Sequence, residues 1–141
     1  SNPGKNYTDV IVEVDAKSIG YAEYDEFGLI CRYTSETDFY TAMIGTDGYF
    51  AIYKGDQENG IIEVNEDAYG FSDAIKGYKH NNTIRLECIG NQISLFANDV
   101  ELLTVEDDSF TAGDVGLIAS TTDEPEVYVE FDNFSAEPVG E

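Results

Sequence analysis

The 141-residue chain has no tryptophan, one histidine, one methionine, two cysteines and only seven basic residues. Each scarcity excludes a kind of chemistry. With no second His and no Cys-rich cluster, a Zn²⁺ site of the usual four N/S ligands cannot be assembled. His80 itself, in Lys79-His80-Asn81-Asn82, reads as a solvated loop residue rather than a general base. Seven basic against 29 acidic residues leave a net charge of −22. Such a polyanion repels phosphate backbones and anionic lipid, so neither nucleic acid nor a membrane surface is an expected partner. No apolar run approaches the roughly 20 residues of a spanning helix, and membrane insertion is not expected. The chain contains neither a G-x-S-x-G elbow nor a phosphate-cradling glycine loop. Without Trp, a broad platform for crystalline polysaccharide is not expected; Tyr49, Tyr53 and Tyr128 are the candidate substitutes.

What is present is period-2 apolar patterning from end to end. Val10, Val12 and Val14 alternate with polar neighbours, as do Ile84, Leu86 and Cys88. Strands are expected at 10–15, 28–33, 39–44, 49–54, 83–89, 92–97, 100–105, 113–119 and 126–135. A short one is expected at 61–64, and a helical turn or loop at 71–75. Thr46-Asp47-Gly48, Gly90-Asn91 and Asn98-Asp99 mark tight turns between them. No long window keeps an apolar stripe at helical spacing. The fold class is therefore all-β: a two-sheet antiparallel sandwich or a barrel. The two cysteines, Cys31 beside Leu29 and Tyr33, and Cys88 beside Ile84 and Leu86, share apolar strand faces and point inward. Two buried free thiols are the expectation; a disulfide, adding about 4 kcal/mol by chain entropy, is the alternative.

Particular residues narrow the class. Gly28-Leu29-Ile30-Cys31-Arg32-Tyr33 is followed by Asp38-Phe39-Tyr40, and Asn82-Thr83-Ile84-Arg85-Leu86 leads into Gly90-Asn91-Gln92-Ile93 and Asn98-Asp99-Val100. Asp107-Asp108-Ser109-Phe110 runs on to Gly113-Asp114-Val115-Gly116-Leu117, and the last strand carries Val129-Glu130-Phe131-Asp132-Asn133-Phe134. Together these resemble the concanavalin A-like lectin and glucanase superfamily, in particular the 3-keto-disaccharide hydrolase-like and laminin G-like domains of bacterial secreted proteins. The resemblance spans roughly Thr8 to Ala136. It implies a jelly-roll sandwich working outside the cell or at its surface, with a polysaccharide or other glycan as partner. Such domains carry a further N-terminal segment before the strand that begins here at Thr8. Residues 1–141 are accordingly read as one β-sandwich domain lacking an N-terminal strand of the full module.

Catalysis is weighed against binding at the carboxylates. Glucanases of this fold need two carboxylates about 5 to 9.5 Å apart, set on one strand as E-x-D-x-x-E or E-x-D-x-E. Glu13-Val14-Asp15-Ala16 starts that pattern, but Lys17 and Ser18 follow and the second Glu is missing. The chain is thus read as a non-catalytic carbohydrate-binding or adhesive module. A glycoside hydrolase or lyase acting on 3-keto sugars, and a structural spacer or protein-interaction domain, are the alternatives. The candidate ligand residues are Arg32, Tyr40, Arg85, Asp132 and Asn133. Each has a plain structural counterpart. Arg32 offers five donors to sugar hydroxyls or to a neighbouring strand's carboxylate, and Arg85 can simply pair with Glu87 on its own face. Tyr40 is a stacking platform or core filler, and Asp132 and Asn133 bind ligand or hydrogen-bond nearby backbone. No cofactor is expected, although Ca²⁺ is open because carboxylates suit it; no D-x-D-x-D-G loop occurs, and Glu106-Asp107-Asp108-Ser109 reads as a turn.

Overall fold

The computed structural model describes residues 6–19, 25–77, 79–121 and 129–139. Eleven strands and no helix are formed by these residues: β1 (Val10–Ser18), β2 (Asp25–Ser35), β3 (Asp38–Gly45), β4 (Tyr49–Asp56), β5 (Gly60–Glu63), β6 (Tyr69–Phe71), β7 (Asn81–Ile89), β8 (Gln92–Ala97), β9 (Val100–Glu106), β10 (Asp114–Thr121) and β11 (Val129–Pro138). They make two antiparallel sheets. The first runs β11-β1-β7-β8-β9; the second runs β10-β2-β3-β4-β5, with β6 pairing the start of β4. The chain leaves the first sheet after β1, builds most of the second, returns for β7 to β9, and closes each sheet with β10 and β11. This is a two-sheet antiparallel jelly-roll sandwich.

Alternation explains the layering. Along β1 every second residue from Val10 to Ala16 is fully buried, and β7 and β8 repeat the pattern with Ile84, Leu86, Cys88, Ile93, Leu95 and Ala97. The second sheet answers with Phe27, Leu29, Cys31, Tyr40, Ala42, Ile44 and Ile52. The two inner faces form one apolar core, in which each buried Leu or Ile contributes about 1.5–3 kcal/mol.

The tight turns fall where their chemistry requires. Asn98 and Asp99 both take positive φ (54° and 67°), the backbone that a two-residue hairpin between β8 and β9 demands. Asn98 further holds the structure outside its own turn: its Oδ1 accepts from the Thr83 N–H, and its Nδ2 donates to the Ala74 carbonyl and to Asn82. Gly48 (φ 93°) closes the β3–β4 hairpin, and any Cβ there would meet the Phe71 ring at 2.6 Å.

Three expectations need correction. Cys31 and Cys88 are not free thiols; they form a disulfide across 57 residues that joins β2 of one sheet to β7 of the other. Residues 69–71 form strand β6, whereas only a helical turn or loop was expected from residue 71 onward; a turn follows at 73–75. Strict alternation also fails at Arg32. Its φ of +53° creates a bulge in β2, visible as register shifts against both β3 and β10. The bulge turns Arg32 into the molecule and leaves Tyr33 exposed instead of facing inward with Cys31. The last strand runs from Val129, and its expected start at 126–128 lies outside the described residues.

Candidate functional site

Arg32 is 1% exposed and spends its fork on the chain itself. Nε donates to the Thr8 carbonyl, Nη1 to those of Gly90 (2.7 Å) and Phe110, and Nη2 to the Cys88 carbonyl and the Asp9 carboxylate. Burial pulls its pKa below the ordinary guanidinium value, while Asp9 and Tyr40 push it back up. No donor is left for a ligand. Tyr40 is fully buried on the inner face, edge-on to Phe110 at 5.2 Å. Its hydroxyl donates to Asp107 Oδ2 at 2.6 Å and accepts from the Phe110 N–H. Burial and then the Asp107 contact drive its phenol pKa well above the usual range. Asp107 also receives Lys54 Nζ at 3.0 Å. Burial acts to raise the Asp107 pKa, but hydrogen bonds from Tyr40, Ser109 and Lys54 outweigh it and hold the carboxylate low. The acidic turn is thus fastened to the second sheet through Tyr40 and Lys54. Both Arg32 and Tyr40 are removed from the set that a ligand can reach.

The other three candidates lie on the outer face of the first sheet. Arg85 rests over the Phe96 ring at 4.2 Å, with Nε on Glu87 (3.0 Å) and Nη1 on Asp99 (3.2 Å). This is the pairing that its face-sharing with Glu87 allowed. Asn133 sits with φ 57° in a bulge of β11, its N–H on Asp132 and its Nδ2 on Asp15 Oδ2 at 2.8 Å. Thr83 donates to the other oxygen of Asp15 at 2.6 Å, and these two hydrogen bonds lower the Asp15 pKa. The five residues therefore do not converge on one site. Among the described residues, no three His, Cys, Asp or Glu side chains group as metal ligands.

The outer face of the second sheet is different in character. Register puts Glu26 on β2, Thr41 and Met43 on β3, Tyr49, Ala51 and Tyr53 on β4, Glu63 on β5, and Tyr69 and Phe71 on β6 all on that side. Tyr49, Tyr69 and Phe71 are 53–59% exposed, with Tyr49 and Phe71 edge-to-face at 5.3 Å. Beside Tyr49 and Tyr69 lies a shallow pocket of about 150 Å³ lined by Glu26, Tyr49, Phe50, Ala51, Tyr53, Glu63 and Tyr69. Burial raises the Tyr53 phenol pKa, and Glu26 and Glu63 raise it further, so both carboxylates act on the same ring. A second pocket, about 250 Å³, lies between Ile30, Tyr33, Asp114 and Leu117. It is larger, but it offers one aromatic ring and one carboxylate, and Asp114 already accepts the Val115 N–H. Exposed rings beside carboxylates that have no hydrogen-bond partner among the described residues favour the smaller pocket for a polar ligand with apolar faces. Of its rings, Tyr49 and Tyr53 were legible as platform candidates; Tyr69, Glu26 and Glu63 were not. Tyr128, the third platform candidate, lies outside the described residues.

No family model matches the chain, and neither does any curated protein. Solved structures do. The chain is similar to the carbohydrate binding module CBM66 from Bacillus subtilis, with TM-score 0.78 and 15% identity over 95% of this chain and 78% of that one. Sheep galectin-11 in complex with glycerol gives 0.65 and 9% over 92% and 90%. A protein from Parabacteroides distasonis, provisionally named a glycosyl hydrolase, gives 0.60 and 13% over 96% and 80%. At such identities the likeness is one of fold.

Proposed function

We propose that this chain is a non-catalytic carbohydrate-binding module that seats a sugar chain on the outer face of its second sheet. The observation that carries this reading is the ring set of exposed Tyr49 and Tyr69 and half-buried Tyr53 around a pocket rimmed by Glu26 and Glu63. Tyrosine rings pack against the C–H faces of pyranoses, and the carboxylates accept hydrogen bonds from their hydroxyls. The fold shared with a carbohydrate-binding module and with galectins supports it. The disulfide supports an extracellular setting, because such bonds persist in oxidising compartments.

Affinity electrophoresis through gels containing a panel of polysaccharides tests the proposal, run with Ca²⁺ and with chelator. Retention on at least one polysaccharide is expected, and Tyr69→Ala and Tyr49→Ala should each weaken it about tenfold, as for ring anchors at an interface. No retention on any polysaccharide under either condition would overturn the reading, as would retention indifferent to both substitutions. Release of reducing sugar that Glu26→Gln or Glu63→Gln abolishes would replace binding by hydrolysis.

A further inference from the structure

Resting on that binding face, we infer that its preferred ligand class is a cationic sugar, an oligosaccharide of units carrying free amino groups. The pocket has two carboxylates and no counter-charge. Glu26 and Glu63 line it with Tyr49, Tyr53 and Tyr69, and none of its lining residues is basic. The basic side chains that the structure engages are engaged elsewhere: Arg32 inside the core, Lys54 on Asp107, Arg85 on the outer face of the other sheet. Neither Glu26 nor Glu63 has a hydrogen-bond or ion-pair partner among the described residues, in contrast to Asp9, Asp15, Glu87 and Asp107. Two carboxylates left open beside one half-buried phenol set a local negative field on an already acidic molecule.

That arrangement ranks sugars by charge. A uronate or sulfated chain meets like charge twice, at the pocket and over the whole surface. A neutral chain can donate hydroxyl hydrogens to the carboxylates. A protonated amine makes the same hydrogen bonds with charge assistance and can stand over a tyrosine face, which attracts cations through the ring quadrupole. The three rings and the two carboxylates therefore act on one ammonium-bearing pyranose, the rings through its C–H face and the carboxylates through its nitrogen.

Isothermal titration of the whole chain with three tetrasaccharides of the same linkage decides it: β-1,4-glucosamine, its fully N-acetylated form, and β-1,4-glucose. The glucosamine tetramer should bind about tenfold or more tighter than the other two, the range that a cation–π contact and charge-assisted hydrogen bonds provide. Glu26→Gln/Glu63→Gln should erase that preference, and Tyr69→Ala should weaken all three. Glu101→Gln/Glu106→Gln, the same charge change made on the exposed edge of the first sheet, should leave the preference intact. Equal, Tyr69-dependent affinity for the three sugars would overturn the cationic preference and leave the binding face standing. No binding of any of them would remove both. A preference lost equally in the two double variants would reduce it to bulk charge and overturn it. Equal binding of tetralysine with the same Glu26 and Glu63 dependence would also overturn it, in favour of a basic peptide.

Discussion

At the scale of single residues, the strongest sequence features are those that hold the fold. Arg32 pays for its left-handed backbone with five hydrogen bonds that tie β2 to Thr8, Asp9, Cys88, Gly90 and Phe110. A non-glycine residue at positive φ costs on the order of 1–3 kcal/mol, so these contacts must exceed that. Asp9 is 37% exposed, and water screens its ion pair; the four carbonyls, of which that of Cys88 is buried and the others part-buried, supply the greater part. Arg32→Ala removes these five hydrogen bonds and should lower the unfolding free energy by about 3–5 kcal/mol. Arg32→Lys should recover little, because a compact ammonium with three donors cannot span acceptors spaced for a planar fork. Urea unfolding at neutral pH measures both. A loss below about 1 kcal/mol in either variant would show that the hub is dispensable. Gly28 belongs to the same group: a Cβ there would fall 1.8 Å from the Ala42 carbonyl oxygen. Part of the quoted resemblance, Gly28 and Arg32 among its residues, is thus carried by side chains and backbone that hold the sandwich together.

At the scale of elements, the disulfide fastens the second strand of one sheet to the central region of the other. Closing 57 residues removes loop entropy worth about 4 kcal/mol from the unfolded chain. Cys31→Ser/Cys88→Ser should lose about that much, and a reductant should lower the parent chain's urea midpoint to match the variant while leaving the variant unmoved. Equal midpoints for parent and variant without reductant would sink the assignment of a stabilising role. Most strands were legible, because half-buried strands alternate and Asn-Asp, Gly-Asn and Asp-Gly punctuate them. Three things were not. Strand β6 has three residues, too few to show a period. The Arg32 bulge is imposed by acceptors up to 78 residues away, so nothing local announces it. The site itself depends on how β4, β5 and β6 register, and among 29 acidic residues no local pattern marks Glu26 and Glu63 as the two that meet Tyr53. Tyr49 and Tyr53 could be named from the lack of Trp. Their partners required the sheet.

At the scale of the whole molecule, a charge of −22 opposes compaction, and screening it should stabilise the fold. Going from about 10 mM to about 1 M salt shortens the Debye length from roughly 30 Å to 3 Å. At pH 7 the urea midpoint should therefore rise with NaCl, although the same screening weakens the Lys54–Asp107 pair. Repulsion among tens of carboxylates outweighs one half-buried bridge. Acid reverses the balance. Near the sequence isoelectric point of about 4.1 the net charge vanishes, so salt should no longer help. Asp15 and Asp107 both have folded pKa values held below the ordinary aspartate value. A group with a depressed folded pKa contributes stability that is present above its unfolded pKa and is lost as pH falls through the folded one. Stability should therefore decline from about pH 4 downwards as Asp15 releases Thr83 and Asn133, and as Asp107 releases Lys54. Asp107→Asn should start lower at pH 7 and show a shallower acid limb, because the unfolded chain no longer takes up that extra proton. Urea midpoints over a grid of pH and NaCl separate the two effects. A midpoint at pH 7 that falls with added salt would mean that the specific ion pairs, rather than the acidic surface, set the electrostatic balance of this sandwich.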